Sequence, residues 1–353
     1  MELITKLNPS DLKPGMILAK DIIINGIKLL NGGIEITPVL IEKLKTNYPL
    51  NYIYIYDENN PENKKLFENR NSVRLKKSQK KFKVLSTATE NIFKKTKEND
   101  LIDMIDVRNI CDSMLKELND SGPVIKNIIE GQQIDEYLFR HSLNVSSLSA
   151  LIGKWLKLDN QDIILLSYSG MLHDIGKCKI PSKILNKPGA FLPEERAICN
   201  THAQYSYELV KKIPFLDKSV ALAVLLHHER EDGSGYPLGI KSDKIPLFAK
   251  IVAIADIFDA MTSNRVYRGK LCPLDVLDSI KYEIFGKLDP AIASLFINNI
   301  LNYYIGEIVQ LNTGELGKII KIDINNIPNP WIEMNGKLID LAKEKNLIIR
   351  DIL

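Results

Sequence analysis

"AVLLHHEREDGSGYP", residues 223–237, runs an apolar, helix-like segment into two adjacent histidines and then into a charged turn with two glycines. One histidine at the end of such a run is usually a core residue satisfied by a hydrogen bond. Two in a row, in a chain that has only five, ask for a shared reason. His227 and His228 lie about 100° apart on a helix, so at a helix end both can turn toward one ligand.

The other three histidines repeat the pattern. In "QIDEYLFRHSLNVSSLSALIGKWLKL", residues 133–158, the stripe Ile134, Leu138, His141, Val145, Leu148, Ile152 and Trp155 has helical spacing. In "NQDIILLSYSGMLHDIGKCKIP", residues 160–181, Ile163, Leu166, Gly170 and His173 share a face. Asp174 sits beside His173, Lys177 lies one turn on, and Pro181 is expected to stop that helix. In "LPEERAICNTHAQYSYELVKKI", residues 192–213, the expected stripe is Ile198, His202, Tyr205, Leu209 and Ile213. In "FAKIVAIADIFDAM", residues 248–261, Asp256 rides an otherwise apolar helix, with Asp259 about one turn further.

All five histidines and at least two aspartates thus fall on core-facing positions. An uncompensated buried carboxylate costs several kcal/mol, and seven independent accidents are a poor explanation. A buried cation is a good one, because imidazole and carboxylate together suit first-row transition metals. One metal with seven protein ligands leaves no room for substrate; two metals sharing Asp174 do.

The whole chain sets the frame. Its 353 residues allow two or three domains, and 45% hydrophobic with 26% charged residues is a globular composition. The net charge of +3, from 47 basic and 44 acidic residues, gives no field for bulk nucleic-acid binding. The start, "MELITKLNPSDLKPGM", lacks a signal-peptide pattern. The longest apolar run, Val220 to Leu226, is far short of the roughly 20 residues of a membrane helix. Four scattered cysteines without a C-x-x-C pair point to reduced thiols in a cytoplasmic protein.

The expected organisation has four parts. Residues 1–57 form a small α+β unit, with "DIIINGIKLL" a hairpin around Asn25-Gly26 and "ITPVLIEKLK" a helix opening at Thr37-Pro38. Residues 58–120 are a polar linker, or the polar start of a helix, followed by amphipathic helices. Residues 121–303 are the helical catalytic domain, and 304–353 a β-rich extension with a hairpin around Asn312-Thr313-Gly314.

"DEYLFRHSLNV" (135–145), "HDIGK" (173–177), "HHEREDGSGYP" (227–237) and "IVAIADIFDAMTSNRVYR" (251–268) together resemble the HD-GYP family of metal-dependent phosphohydrolases. The resemblance spans roughly residues 121–310. It implies a mainly α fold: an HD-type helical bundle with the small α+β unit before it and a short β-hairpin appendage after it. The implied activity is hydrolysis of cyclic di-GMP to pGpG, GMP or both. The implied cofactors are two divalent transition metals, iron or manganese before nickel or zinc. His141, His173, Asp174 and Asp256 would surround one, and Asp174, His202, His227 and His228 the other. Some members add a third metal through a glutamate where this chain has Tyr137, so two are expected.

Lys177, Arg265 and Arg268 match positions that contact substrate phosphates, and Tyr236 matches the loop that names the family. Read alone, Lys177 could also be a surface ammonium, each arginine a helix-end charge, and Tyr236 a core filler. Asp259 is equally open, as a group orienting a ligand or an arginine, or as a local cap or pair. Ala203 and Ser206 replace the family's proline and glycine, and Glu231 replaces an aromatic; these departures concern loop shape and remove no ligand. Partners expected are cyclic di-GMP, no bulk nucleic acid and no membrane, with a homodimer left open. Two alternatives stand: an HD hydrolase of another cyclic dinucleotide or phosphate ester, and a non-catalytic signalling module.

Overall fold

The structure, a computed structural model, describes residues 4–16, 18–20, 22–24, 27–30, 36, 38–47, 49, 52–56, 61–118, 121–130, 137–187, 189–262, 272–283 and 286–352. Two compact units divide it, Met1–Lys77 and Ser78–Leu353.

In the first unit, strand β1 (Ile4–Leu7) is followed by β2 (Ile22–Ile24), β3 (Ile27–Leu30), helix α1 (Pro38–Asn47) and β4 (Ile53–Tyr56). β1 and β4 pair antiparallel, as do β2 and β3. Ile24 faces Ile27, the register of the expected two-residue hairpin, although Asn25 and Gly26 lie outside the described residues. Leu12, Leu18, Ile22, Ile36, Ile41, Leu44, Ile53 and Ile55 make its core.

The stretch expected as linker or polar helix start is helix: α2 runs Pro61–Asn99 and α3 Met104–Glu117. Asp103 caps α3 by accepting from the Ile105 and Asp106 amides. Then come α4 (Ser121–Glu130), α5 (Tyr137–Trp155), α6 (Asn160–Leu172), α7 (Ser182–Leu185), α8 (Pro193–Asn200), α9 (His202–Val210), α10 (Lys218–Leu226), α11 (Leu247–Thr262), α12 (Pro273–Glu283) and α13 (Pro290–Tyr304). Among the described residues, no helix is long and apolar enough to cross a membrane.

α5 is the central element, packed against α6 and α11 and buried throughout residues 141–152. Its small residues Ser142, Ser146, Ser147 and Ser149 are all buried and let α6 approach closely. At Gly170 of α6, a Cβ would stand 2.6 Å from the Ser146 Cα, so only glycine fits that crossing. This contact sets the distance between His141 on α5 and His173 at the end of α6.

Two sequence expectations are corrected. The helix through "HDIGK" ends at Leu172, and Ile175–Lys179 is a 3-10 turn; Asp174 leaves helical geometry at φ −102°, ψ 5°. The stripe through Ile198 and Tyr205 does not exist as drawn, since both are exposed. The chain breaks at Thr201 between α8 and α9, which resets the helical phase, and the buried set of α9 is His202, Ala203, Ser206, Leu209 and Val210.

At the C-terminus the expected hairpin is present and extends into further strands. The hairpin appendage is part of a five-stranded antiparallel sheet, β8-β7-β6-β5-β9, made of β5 (Ile308–Leu311), β6 (Leu316–Lys321), β7 (Trp331–Met334), β8 (Lys337–Asp340) and β9 (Ile349–Ile352). β7 and β8 turn at Asn335-Gly336, both at positive φ, a second short hairpin signal. Val309, Leu311, Ile319 and Ile332 join the hydrophobic cluster of the helices, so the sheet shares their core.

Candidate metal centre

Four of the five histidines sit at helix ends, and this decides how they point. The last carbonyls of a helix have no partner within it. His173 Nδ1 lies 2.8 Å from the Gly170 carbonyl, His227 Nδ1 2.7 Å from that of Val224, and His202 Nδ1 2.7 Å from that of Cys199. A carbonyl only accepts, so each Nδ1 carries the hydrogen and each Nε2 is left as an acceptor. His141, inside α5, reaches the same tautomer differently: its Nδ1 donates to Asp259 Oδ2 at 2.7 Å. Asn144, one turn on, donates its Nδ2 to the other oxygen of Asp259 at 2.8 Å.

The Nε2 atoms converge. His141 Nε2 and His173 Nε2 are 3.2 Å apart, as are His202 Nε2 and His228 Nε2. His227 Nε2 is buried with no hydrogen-bond partner among the described residues. Asp174 stands between the two groups. Its Oδ2 lies 3.4 Å from both His141 Nε2 and His173 Nε2, and its Oδ1 3.2 Å from His202 Nε2. Asp256 Oδ1 is 3.1 Å from His141 Nε2, and its Oδ2 is 3.8 Å from His228 Nδ1.

The electrostatics keep these groups in ligand form. Burial pushes the His227 imidazole well below the usual histidine range, and His228, His173 and His202 push the same way. Burial also lowers His202 and His228, against weaker upward pulls from Asp174 and Asp256 respectively. Burial drives the Asp174 carboxyl up, but the Lys177 ammonium paired with its Oδ2, together with His173 and His141, outweighs that, so it stays an anion well below the usual carboxylate range. In neutral rings the lone pairs of His141 and His173 face one another at 3.2 Å beside two buried carboxylates, and positive charge between them relieves the repulsion. Two groups, His141–His173–Asp174 and His202–His227–His228, each bring their ligand atoms within 4.8 Å of one another. Neutral imidazoles and carboxylates are the donor set of a divalent transition metal, and the residues fit one.

The family model described as HD domain matches residues 123–292. The chain is 27% identical over 247 residues to a cyclic di-GMP phosphodiesterase of Pseudomonas aeruginosa, a match covering 70% of this chain and 59% of that one. It is 33% identical over 195 residues to a 3'3'-cGAMP-specific phosphodiesterase of Vibrio cholerae, covering 54% of this chain and 44% of that one. The chain therefore spans about half the length of these curated relatives. Among solved structures, an HDG"Y"P protein of Bdellovibrio bacteriovorus shares the fold, with TM-score 0.52 and 17% identity over 85% of this chain and 99% of that one.

Around these histidines, the remaining expected residues take different places. Lys177 is at the centre, on Asp174. The Tyr236 ring stacks on His228, with centroids 4.5 Å apart, and burial pushes its phenol well up, so it stays neutral. Arg265 and Arg268 lie outside the described residues. Asp259, with no exposure, accepts from both His141 and Asn144.

Three residues have contacts that escaped the sequence reading. Asn144 holds Asp259. Ser206 accepts the Gly176 amide at 2.7 Å, where the 3-10 turn lies so close to α9 that a Cβ on Gly176 would meet the His202 carbonyl oxygen at 2.2 Å. Glu229 accepts from the Leu238 and Ile240 amides at 2.7 and 3.1 Å, folding the glycine loop back on itself. That loop passes so near its own start that a Cβ on Gly235 would stand 2.4 Å from the Glu229 Cα. The "HHE" run itself was the available signal for Glu229; Asn144 and Ser206 had none.

Proposed function

We propose that this chain hydrolyses a cyclic dinucleotide, cyclic di-GMP before others, at two divalent transition-metal sites that share Asp174. The observation that carries the reading is the pair of Asp174 oxygens, each directed at a different histidine group. His141, His173, Asp174 and Asp256 would hold one ion, and Asp174, His202, His227 and His228 the other. Iron or manganese suits these nitrogen and oxygen donors, with nickel and zinc as alternatives. Two such ions would supply Lewis acidity, activating water and neutralising the charge of a phosphodiester.

The chain's own side chains do the rest. Lys177, half-buried beside Asp174, places an ammonium where negative charge develops on the phosphate. Tyr236, kept neutral, backs His228 and limits how that ring turns. Asp259 fixes the tautomer of His141 so that Nε2 faces inward. Arg265 and Arg268 are proposed as the forks for a second phosphate. The names of the relatives support the substrate class, and the Vibrio cholerae relative favours 3'3'-cGAMP as a second reading. Four free cysteines support a reducing, cytoplasmic setting.

The test is turnover by the purified full chain under reducing conditions with iron or manganese, offered cyclic di-GMP and 3'3'-cGAMP separately. Linear dinucleotide or mononucleotide from cyclic di-GMP is expected. Cleavage of 3'3'-cGAMP alone would replace the substrate, and cleavage of neither would overturn the reading.

A further inference from the structure

The glycine loop that follows His228 is tied to the helices by charge. Glu231 Oε1 lies 3.1 Å from Lys250 Nζ, and the same ammonium lies 3.2 Å from Asp289 Oδ2. The three side chains are only 13%, 14% and 21% exposed, in that order, so water screens them less than it does a surface pair. Burial pulls the Lys250 ammonium down, yet Glu231 and Asp289 together raise it above its ordinary value.

Each corner of this triad is anchored. The Glu231 amide donates to the Lys287 carbonyl at 3.0 Å, and the Glu231 carbonyl accepts from the Ser242 amide at 3.2 Å. Asp289 uses its other oxygen to cap α13, accepting from the Ala291 and Ile292 amides at 3.1 Å each. Lys250 belongs to α11, which also carries Asp256 and Asp259. The contacts of Glu229 with Leu238 and Ile240, and of the Tyr236 amide with the His228 carbonyl, are internal to the loop. They shape it without fixing it to α11.

We propose that Glu231, Lys250 and Asp289 form an ionic latch that holds the 229–241 loop on α11 and on the start of α13. Glu231 and Lys250 are then positioning residues: they set where Tyr236 stands against His228 without touching substrate. Where catalysis is the readout, the inference rests on the hydrolase reading above.

The test uses the full chain and two readouts. Amide hydrogen exchange at Tyr236, Leu238 and Ile240 should quicken about fivefold in Glu231→Gln, while α5 amides keep their rates. KM for cyclic di-GMP should rise by about the same factor with kcat changed less than about twofold. Lys250→Met should do at least as much, Lys250→Arg should stay near the unsubstituted protein, and Glu231→Gln should add nothing in the Lys250→Met background. Unchanged loop exchange and KM in Glu231→Gln, or fully additive losses in the double variant, would overturn the latch. Absent turnover in the unsubstituted protein, with the exchange effect present, would reject the hydrolase reading and leave the latch standing.

Discussion

His141 Nε2 and His173 Nε2 face each other at 3.2 Å, and in neutral rings whose Nδ1 hydrogens go elsewhere both are acceptors. Each ring has spent its Nδ1 hydrogen elsewhere, on Asp259 and on the Gly170 carbonyl. Two acceptors at that distance repel, and Asp174 Oδ2 and Asp256 Oδ1 add negative charge beside them. The packing of α5 on α6 through Gly170 forces this arrangement, and a cation relieves it.

Asp259 is where that arrangement is most exposed to substitution. Asp259→Ala frees the His141 ring to turn and leaves Asn144 without its acceptor. Metal affinity should fall roughly 10–100-fold, measured by competition with a chelating dye. Asn144→Leu should act in the same direction and less strongly, because the His141 contact survives. Unchanged affinity in Asp259→Ala would remove Asp259 from the site.

The metal-free protein should lose stability in mild acid. His202, His227 and His228 are lowered in the folded state, so below about pH 6.5 the unfolded chain binds more protons than the folded one. Their contribution is complete above that pH and is lost as pH falls through it, at up to about 1.4 kcal/mol per pH unit for each proton. Urea midpoints in chelator from pH 8 to 5 should fall steeply below 6.5. A flat profile would mean that these imidazoles titrate normally.

The seam between the 3-10 turn and α9 should be intolerant. Gly176→Ala drives a Cβ into the His202 carbonyl and should cost about 1–3 kcal/mol by overpacking. Ser206→Ala leaves the buried Gly176 amide without its acceptor, also about 1–3 kcal/mol. Denaturant unfolding of the two variants checks both, and no loss in either would show that the seam is loose.

Much of the site was legible because it rides on long helices. His141, His173 and Asp256 could be placed from a 3.6-residue period, since α5, α6 and α11 keep their phase over 13 to 19 residues. Ile198 and Tyr205 were misplaced because the same period was carried across Thr201, where the chain bends and restarts. The Asn335-Gly336 turn was there to be seen, but the tail was read from its first hairpin only. Asn144 and Ser206 were hidden for another reason. Their partners, Asp259 and Gly176, lie 115 and 30 residues away, and nothing in local spacing announces such a pair.

The central claim is that Asp174 bridges two cations. Anomalous diffraction from crystals of the metal-loaded full chain, recorded at the metal's absorption edge, tests it most directly. Two peaks about 3.5–4 Å apart are expected, one beside Asp174 Oδ2 with His141 and His173, the other beside Asp174 Oδ1 with His202, His227 and His228. A single peak touching one histidine group, or none with the rings turned apart, would contradict the account.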